Sequence, residues 1–479
     1  MKKVLIILII LVILAGLGIG GYFIYQKYFV DEKETTTEET TEEVQKLSLD
    51  PDKINTHLSK VVDTKGVYWM RGGFDLTWGN VETKKGTFDW SMVDKSIKEF
   101  SGEEIYLVPI VKPFANWDQE KCHSDSKYDA DYGSEKGGKL KVGKPCDMKA
   151  YASFLEKAVE RYDGDGQDDM PGLTIPIKYW EIMNEPSMQG GSTGGMGEEL
   201  KFFVGTSDEY FEILKTSYQT IKKADPESKV LPGGMAGMQQ SFVDFWDPIF
   251  KKGAANYFDI ANMHTISTDE KRHDSYIIKF KEFLKKYKVN KPIWITELQY
   301  GSLAEKPADL ASFETLMVKN SVFTLAMGAD KLFYIENWLH WDNPFKEEPK
   351  NKEDDKKDEI EKKSGKDEKE KDTYLKEAIK TSTHKVYLNL VDKINSFNKI
   401  IAIKEDYYEN ENEHDGATST IGQYKFVSDK GNVYVLWGKA NLPSEIKGKI
   451  KVTDIYGTSR TINASELTLS EEPVFVEIQ

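Results

Sequence analysis

The chain has 479 residues, 39% of them hydrophobic, and a formal net charge of −15 at pH 7. This length suffices for one large domain with smaller additions, whereas the negative charge repels phosphate backbones and argues against nucleic acid as a partner. Two cysteines are too few for a zinc finger or a small disulfide-rich scaffold.

The N-terminal segment 1–30 predicts a membrane anchor. Lys2 and Lys3 precede an uncharged, largely apolar run, Val4–Gln26, which is long enough to cross a bilayer as a transmembrane helix. The two lysines favour a cytoplasmic start, so the rest of the chain is expected outside the cell. A cleaved signal peptide is the alternative, and it would release the protein. Residues 31–46 are expected to be a flexible acidic linker.

Short apolar runs then alternate with amphipathic stretches of helical spacing, a pattern that predicts an α/β fold with parallel strands. The runs are Val67–Arg71, Ile105–Val111, Ile177–Met183, Lys229–Pro232, Phe258–His264, Ile293–Thr296 and Lys331–Glu336. No GxGxxG turn follows any of them, which disfavours an open nucleotide-binding sheet. The sequence therefore predicts a (β/α)8 TIM barrel over residues 47–400. Its first strand is expected near Leu47–Leu49.

Two further segments complete the predicted organisation. Residues 346–372 are a charged low-complexity run, expected to be a solvated insertion after the last barrel strand, with a surface contact as the alternative. The stretch Tyr374–Ile400 predicts a long closing helix. Residues 401–479 predict a small antiparallel β-sandwich-like module, with a hairpin that turns at Asp429–Gly431.

Two glutamates follow different barrel strands. Asn184 and Glu185 come after the third run, and Glu297 comes after the sixth. Side chains at the C-terminal ends of barrel strands meet at one mouth, and glycoside hydrolysis needs two carboxyl groups across the scissile bond. Trp180 and Trp294 lie on the same strands, and aromatic walls can raise the pKa of an acid. A lone glutamate at a strand end is more often a salt-bridge partner, so the prediction depends on the pair.

The arrangement resembles clan A of the glycoside hydrolases, in which Asn-Glu ends barrel strand 4 and a second Glu ends strand 7. The stretch Trp78–Trp90, WGNVETKKGTFDW, is similar to the WxxxExxxGxxDW entry of families 39, 42 and 5, with a preference for family 39, the β-xylosidase and α-L-iduronidase group. The resemblance spans about residues 60–400. It implies a retaining β-glycosidase without a required cofactor, with Glu185 as acid/base and Glu297 as nucleophile.

The same resemblance implies substrate-side residues. Arg71 corresponds to the arginine that hydrogen-bonds the nucleophile, Asn184 to the residue that binds the sugar 2-hydroxyl, and Trp338 to the floor of the sugar site. His264 corresponds to a polar position that faces the substrate. In the clan a tyrosine often follows this histidine, whereas here the next residue is Thr265. Tyr300 would compensate for the missing tyrosine. A structural ion pair, a buried histidine and a packed tryptophan are the alternatives for Arg71, His264 and Trp338.

A possible calcium loop lies in residues 160–172. Asp163, Asp165, Gln167 and Asp169 stand at alternate positions, as oxygen ligands do at the start of calcium loops. No glutamate stands at the twelfth position, and a polar turn is the alternative. The sequence thus allows one structural calcium ion, which catalysis would not require.

The two cysteines, Cys122 and Cys146, predict one disulfide if the chain is exported. In the cytosol both would be free thiols. The predicted anchor favours the disulfide.

Together these features predict a membrane-anchored extracellular enzyme that hydrolyses β-glycosidic bonds of oligo- or polysaccharides by double displacement. A transglycosylase would use the same site. A non-catalytic carbohydrate-binding surface protein would need no carboxylate pair, and a membrane-tethered scaffold would work through the charged insertion. The choice of sugar depends on loops such as 186–205, which is rich in glycine and could act as a lid.

Overall fold

The computed structural model describes most of the chain beyond the N-terminal segment. The described ranges are 46–61, 64–130, 139–191, 200–267, 275–300, 307–335, 381–409 and 416–479. The predicted anchor, the acidic linker up to residue 45, the charged insertion and Trp338 lie outside them. Across the described ranges, no helix combines the length and the apolar character that crossing a membrane demands.

Strands and helices alternate from residue 69 to residue 334, as predicted. The strands are β1 (Trp69–Thr77), β2 (Glu82–Lys84), β3 (Thr87–Phe88), β4 (Tyr106–Lys112), β5 (Asp129–Ala130), β6 (Leu140–Lys141), β7 (Tyr179–Ile182), β8 (Lys229–Pro232), β9 (Ala261–Ser267), β10 (Ile293–Tyr300) and β11 (Lys331–Tyr334). Two parallel sheets result, with the orders β1-β4-β7-β8 and β11-β10-β9.

The helices pack their apolar stripes against these strands. They are α1 (Pro51–Ile54), α2 (Trp78–Val81), α3 (Ser91–Gly102), α4 (Asn116–Gln119), α5 (Met148–Tyr162), α6 (Ser207–Ala224), α7 (Gln240–Lys251), α8 (Ile277–Lys286), α9 (Leu310–Ala326) and α10 (Ser382–Ile394). In α6, Thr206 and Glu209 form a capping box, which satisfies free N–H groups of the first turn. Five buried positions of this helix, including Tyr210 and Leu214, follow helical spacing.

Isolated parallel bridges connect the two sheets on both sides. The bridged pairs are Leu58–Leu332, Ser59–Trp69 and Met235–Met263. Segment 57–60 thereby takes the place of a strand between β11 and β1, and Met235 extends the pairing of β8 to β9. The parallel connections run from segment 57–60 through β1, β4, β7, β8, β9, β10 and β11 and return to it.

The predicted position of the first strand at Leu47–Leu49 is wrong. The N–H of Leu47 donates to the carbonyl of Gly164 at 2.8 Å, outside the two sheets. The strand position is instead taken by residues around Leu58, which is fully buried. Asn395 secures them, because its Oδ1 accepts hydrogen bonds from the N–H groups of His57 and Leu58 at 3.0 and 2.8 Å.

The entry motif forms a structural turn. The indole Nε1 of Trp78 donates to Glu82 Oε2 and the N–H of Gly86 donates to Glu82 Oε1, both at 2.5 Å. Gly86 has φ +83°, a conformation that glycine adopts without a Cβ penalty. The motif therefore folds the β2–β3 hairpin back onto α2.

The C-terminal module is an antiparallel sheet. Its strands are β12 (Lys399–Glu409), β13 (Ala417–Ser428), β14 (Gly431–Trp437), β15 (Lys449–Thr453), β16 (Ser459–Asn463) and β17 (Val474–Ile478), in the order β12-β13-β14-β17-β15-β16. The predicted hairpin is confirmed, with Ser428 opposite Gly431. The closing helix ends at Ile394 and not at Ile400, because Asn395 turns its side chain toward segment 57–60.

The sheet packs on the helical layer through α9, in which every residue from Met317 to Leu325 is buried. Glu314 of this helix is buried and accepts hydrogen bonds from Thr383 Oγ1 at 3.0 Å and from the Tyr456 hydroxyl at 2.8 Å. The parallel sheets with their helices and the C-terminal module therefore share one core, which includes Tyr424 and Trp437.

Cys122 and Cys146 form a disulfide across 24 residues, with their Cα atoms 5.9 Å apart. Closing a loop of this size removes entropy from the unfolded chain. We expect the double variant Cys122→Ser, Cys146→Ser to lose about 3 kcal/mol of unfolding free energy, measured by urea denaturation. Dithiothreitol should weaken the wild type by the same amount and leave the double variant unchanged, and equal stability of all forms would contradict this bond.

Candidate active site

Polar side chains of β1, β9 and β10, of the end of β7 and of the turn after it meet at one mouth. In β1, the pairing with β4 shifts between Arg71 and Asp75, and Gly72 and Gly73 have φ values of +75° and +79°. This bulge lets the strand continue past Arg71 while the guanidinium points inward. In β10, the pairing with β9 shifts between Ile295 and Glu297. This shift turns two successive polar residues, Thr296 and Glu297, toward the interior.

Arg71 donates hydrogen bonds to three acceptor side chains at this mouth. Its Nε and Nη2 donate to the two carboxylate oxygens of Glu181 at 2.7 and 2.8 Å. Its Nη1 donates to Glu297 Oε1 at 2.5 Å, and Nη2 also donates to Asn184 Oδ1 at 2.5 Å. A planar guanidinium suits such multiple contacts. The structure places Arg71 beside Glu297, where the resemblance located it, and also beside Asn184, a contact that the sequence did not predict.

Glu185 and Glu297 meet at His264. The Nδ1 atom of His264 lies 2.7 Å from Glu185 Oε1 and 3.5 Å from Glu297 Oε2. One ligand atom from each of the three side chains lies within 4.8 Å of the other two. Glu185 and His264 are buried, while the Glu297 side chain is 16% exposed. Two carboxyl groups thus share one small space at the mouth.

The surroundings shift the pKa values of Glu185 and Glu297 in opposite directions. Burial raises the pKa of Glu185, and the negative charge of Glu297 adds to that effect. Burial would also raise the pKa of Glu297, but the positive charges of His264 and Arg71 outweigh it, so this pKa is lowered. Burial opposes a charged His264, yet the two carboxylates raise its pKa. The site therefore favours a protonated Glu185 beside an ionised Glu297.

Backbone strain marks the same site. Met183 and Glu185 have φ values of +69° and +35°, a region that residues with a Cβ rarely adopt. Such conformations cost about 1–3 kcal/mol each and concentrate at functional sites. They redirect the chain after β7 so that Asn184 and Glu185 both enter the mouth.

Sequence reasoning missed Glu181, Thr296 and Asn262. Glu181 is fully buried in β7, and a charged residue inside an otherwise apolar strand needs a buried partner. That rule was the available signal, and Arg71 is the partner. Thr296 and Asn262 are buried and bonded to each other at 2.7 Å, and a pattern of strand residues gives no sign of that contact.

Two of the tryptophans expected as cleft walls lie elsewhere. Trp294 packs edge-on against Trp69 at 5.1 Å between ring centroids, in an aromatic cluster that does not include the carboxyl pair. Trp180 is fully buried and donates to Ser228 Oγ at 3.2 Å. Strand alternation explains the position of Trp180, which faces the opposite side of β7 from its neighbour Glu181, whereas Trp294 faces inward with Trp69 and Phe333. The backbone of Tyr300 ends β10, and its side chain is outside the described part.

Other side chains line the walls beside the carboxyl pair. A narrow cleft next to Asn184 is bounded by Lys112 and Phe114. A cavity of about 140 Å³ borders Arg71 and Glu297 on the side of segment 57–60.

The predicted calcium loop gathers three of its four residues. Carboxylate oxygens of Asp163, Asp165 and Asp169 lie within 4.8 Å of one another. Gln167 turns its amide Nε2 toward Asp165 at 3.0 Å, and Asp169 accepts from the N–H groups of Gly164 and Gly166. Burial raises the pKa of Asp163 to about 7. The calcium ion stays a prediction.

Similar solved structures are glycoside hydrolases. A family 39 glycoside hydrolase from Bacteroides cellulosilyticus WH2 matches with a TM-score of 0.51 and 14% identity over 91% of this chain and 83% of that one. CelM2, a bifunctional glucanase-xylanase from a metagenome library, matches with a TM-score of 0.50 and 11% identity over 90% of this chain and 97% of that one. BuGH86, solved with neoagarooctaose, matches with a TM-score of 0.50 and 13% identity over 91% of this chain and 76% of that one.

These likenesses confirm the predicted resemblance at the level of the fold. No protein-family model matches the chain. No curated protein sequence matches it either.

The Arg71 network predicts a large and pH-dependent loss of stability. Arg71→Met leaves Glu181 and Glu297 buried without their cation, and removing one partner of a buried pair costs about 3–5 kcal/mol. The lowered pKa of Glu297 stabilises the wild type above the unfolded pKa of glutamate and ceases to do so as the pH falls through the folded value. The difference between wild type and variant should therefore shrink mainly below about pH 4.5, near the unfolded pKa of glutamate, as measured by urea denaturation between about pH 7 and pH 3.

Arg161→Met is the matched control. Arg161 makes a two-pronged ion pair with Asp94 at 2.9 and 2.6 Å, near the surface, and such pairs contribute about 1 kcal/mol or less. Equal losses in the two variants would contradict a charge network at Arg71.

Proposed function

We propose that this protein is a retaining glycoside hydrolase on a (β/α)8 barrel. The observation that carries the proposal is the meeting of Glu185 and Glu297 within 4.8 Å, with pKa values displaced in opposite directions. A pair of carboxyl groups with one proton between them is what acid-assisted displacement at an anomeric carbon needs.

The ring of parallel connections supports the barrel. Segment 57–60 and the seven strands from β1 to β11 give eight positions, in which Glu185 follows the fourth and Glu297 belongs to the seventh. In (β/α)8 enzymes, catalytic side chains project from C-terminal strand ends. The fold shared with solved glycoside hydrolases agrees with this assignment.

The mechanism has two displacements. In the first, a Glu297 oxygen attacks the anomeric carbon while Glu185 gives its proton to the departing glycosidic oxygen, so a glycosyl–Glu297 ester forms and an alcohol leaves. In the second, Glu185 takes a proton from water, the hydroxide oxygen bonds to the anomeric carbon, and Glu297 departs as carboxylate. Arg71 keeps Glu297 ionised and aligned by its hydrogen bond.

The short separation favours retention over inversion. Retaining enzymes hold their carboxyl groups about 5–5.5 Å apart, whereas inverting enzymes leave about 6.5–9.5 Å for a water molecule. One carboxylate oxygen of Glu185 lies within 4.8 Å of one of Glu297, which supports the shorter separation. Asn184, fixed by Arg71 at 2.5 Å, is proposed to bind the sugar beside the nucleophile.

We further propose that the protein works outside the cell, attached to the membrane by residues 1–30. The apolar run Val4–Gln26 supports an anchor. The disulfide between Cys122 and Cys146 supports an oxidising compartment. The substrate is proposed to be a β-linked oligo- or polysaccharide.

Substitution of either carboxyl group tests the assignment. Glu297→Gln should abolish hydrolysis of aryl β-glycosides, because an amide does not form the ester. Glu185→Ala should retain turnover of 2,4-dinitrophenyl glycosides, whose leaving group needs no proton, and lose about 10²–10⁴-fold on alkyl glycosides. Initial rates over a panel of gluco-, galacto- and xylosides measure both effects.

Glu314→Gln is the control, since Glu314 is a buried glutamate bonded to Thr383 and Tyr456, far from the mouth. It should keep wild-type rates. Full activity of both active-site variants would refute the proposal. Added sugar acceptors distinguish hydrolysis from transglycosylation through the products formed.

A further inference from the structure

A chain of hydrogen bonds runs from the backbone of β8 to Glu185. It passes from the carbonyl of Pro232 through Asn262, Thr296 and His264. All three side chains are at most 2% exposed, so water does not compete for these contacts. The chemical nature of each group fixes the direction of each bond.

The first two bonds orient Asn262 and Thr296. The Pro232 carbonyl only accepts, so the Asn262 atom 3.0 Å from it is the amide nitrogen Nδ2. The other side-chain atom, Oδ1, then faces Thr296 Oγ1 at 2.7 Å and accepts its hydroxyl proton. A hydroxyl group has one proton to donate, and Thr296 has used it.

The remaining bond determines the protonation of His264. Its Nε2 atom lies 3.0 Å from Thr296 Oγ1. Since that oxygen is left as an acceptor, Nε2 must carry a proton. The opposite ring atom, Nδ1, faces Glu185 Oε1 at 2.7 Å. One exchangeable proton therefore lies between Nδ1 and the Glu185 carboxyl group.

We propose that Asn262 and Thr296 are positioning residues that hold His264 in the Nε2–H tautomer, so that Nδ1 shares the catalytic proton with Glu185. The proposal rests on the proposed function, in which Glu185 is the acid/base. It assigns a role to two residues that are each only 2% exposed.

The backbone at Gly234 confines the imidazole on one side. A Cβ built on Gly234 would lie 2.1 Å from His264 Nε2, so the ring lies directly against a residue without a side chain. The charged groups that face the ring are Glu185, Glu297 at 3.5 Å from Nδ1, Glu181 at 3.9 Å from Nε2, and Arg71 behind the two carboxylates. Glu181 is beyond hydrogen-bond distance and does not replace Thr296 as the partner of Nε2.

The fixed tautomer makes loss of the shared proton unfavourable. Once that proton leaves, the bare Nδ1 lone pair faces a carboxylate oxygen. If the ring could move its remaining proton from Nε2 to Nδ1, it would donate to the carboxylate and relieve the repulsion. Because Thr296 holds the proton on Nε2, the pair keeps its catalytic proton to higher pH. In the first displacement the pair gives this proton to the glycosidic oxygen, and in the second it regains one from water.

Thr296→Val tests the proposal through the pH profile. Valine has nearly the same shape and no acceptor, so the proton can move to Nδ1 after deprotonation. The alkaline limb of kcat/KM for an aryl β-glycoside should then shift down by about one pH unit, the equivalent of one hydrogen bond to a charged group. Thr296→Ser restores the acceptor and should return the limb to its wild-type position.

Thr265→Val provides a matched control. Thr265 is the residue after His264, it is 1% exposed, and its hydroxyl has no hydrogen-bond partner among the described residues. The same substitution there should leave the alkaline limb in place. If Thr296→Val acted only by loosening the core, it would lower rates or thermal stability without shifting the alkaline limb of kcat/KM.

An independent measurement follows the ring itself. In the full-length chain labelled with ¹⁵N in its seven histidines, with His264→Gln identifying the signal, the wild type above the alkaline limb should show a protonated Nε2 and a bare Nδ1. Thr296→Val should show the reverse. This readout needs no turnover, so it decides the proposal even if no glycoside is hydrolysed. A protonated Nδ1 in the deprotonated wild type, or an unchanged limb in Thr296→Val, would overturn it.

Discussion

The buried guanidinium of Arg71 is the constraint on which the mouth of this fold depends. A charge removed from water must be compensated by nearby charges and hydrogen bonds, and Arg71 finds them in Glu181, Asn184 and Glu297. These partners come from β7, from the turn after it and from β10, so one side chain ties three parts of the chain together. The same contacts that satisfy the cation set the ionisation and direction of the proposed nucleophile.

Local irregularities of the strands make this network possible. The bulge after Arg71 and the register shift before Glu297 allow polar side chains to face inward where strict alternation would turn them away. The left-handed conformations of Met183 and Glu185 do the same after β7. Each deviation costs free energy on its own, and the hydrogen bonds of the network offset that cost. Strain and charge thus concentrate at one end of the sheets, while an aromatic cluster around Trp69 and Trp294 fills another part of the interior.

Periodicity predicted the strand and helix alternation, and the spacing of Glu185 and Glu297 predicted that they would meet. Those features depend on local patterns, which a single sequence carries. The first strand position was misplaced because Leu58 and its neighbours make only isolated bridges, and their short apolar stretch differs little from a loop. Glu181, Asn262 and Thr296 escaped notice because their partners lie on other strands. Their roles follow from three-dimensional pairing, which residue type alone does not specify.

Trapping the glycosyl-enzyme tests the central claim most directly. The full-length protein would be incubated with 2,4-dinitrophenyl 2-deoxy-2-fluoro-β-glycosides of glucose, galactose and xylose, digested, and analysed by peptide mass spectrometry. The account predicts one fluorosugar per chain, attached to Glu297 in the peptide that contains Trp294 and Gln299, with one dinitrophenolate released per enzyme. A label on a different carboxylate, or continued turnover of a substrate without any covalent adduct, would contradict it.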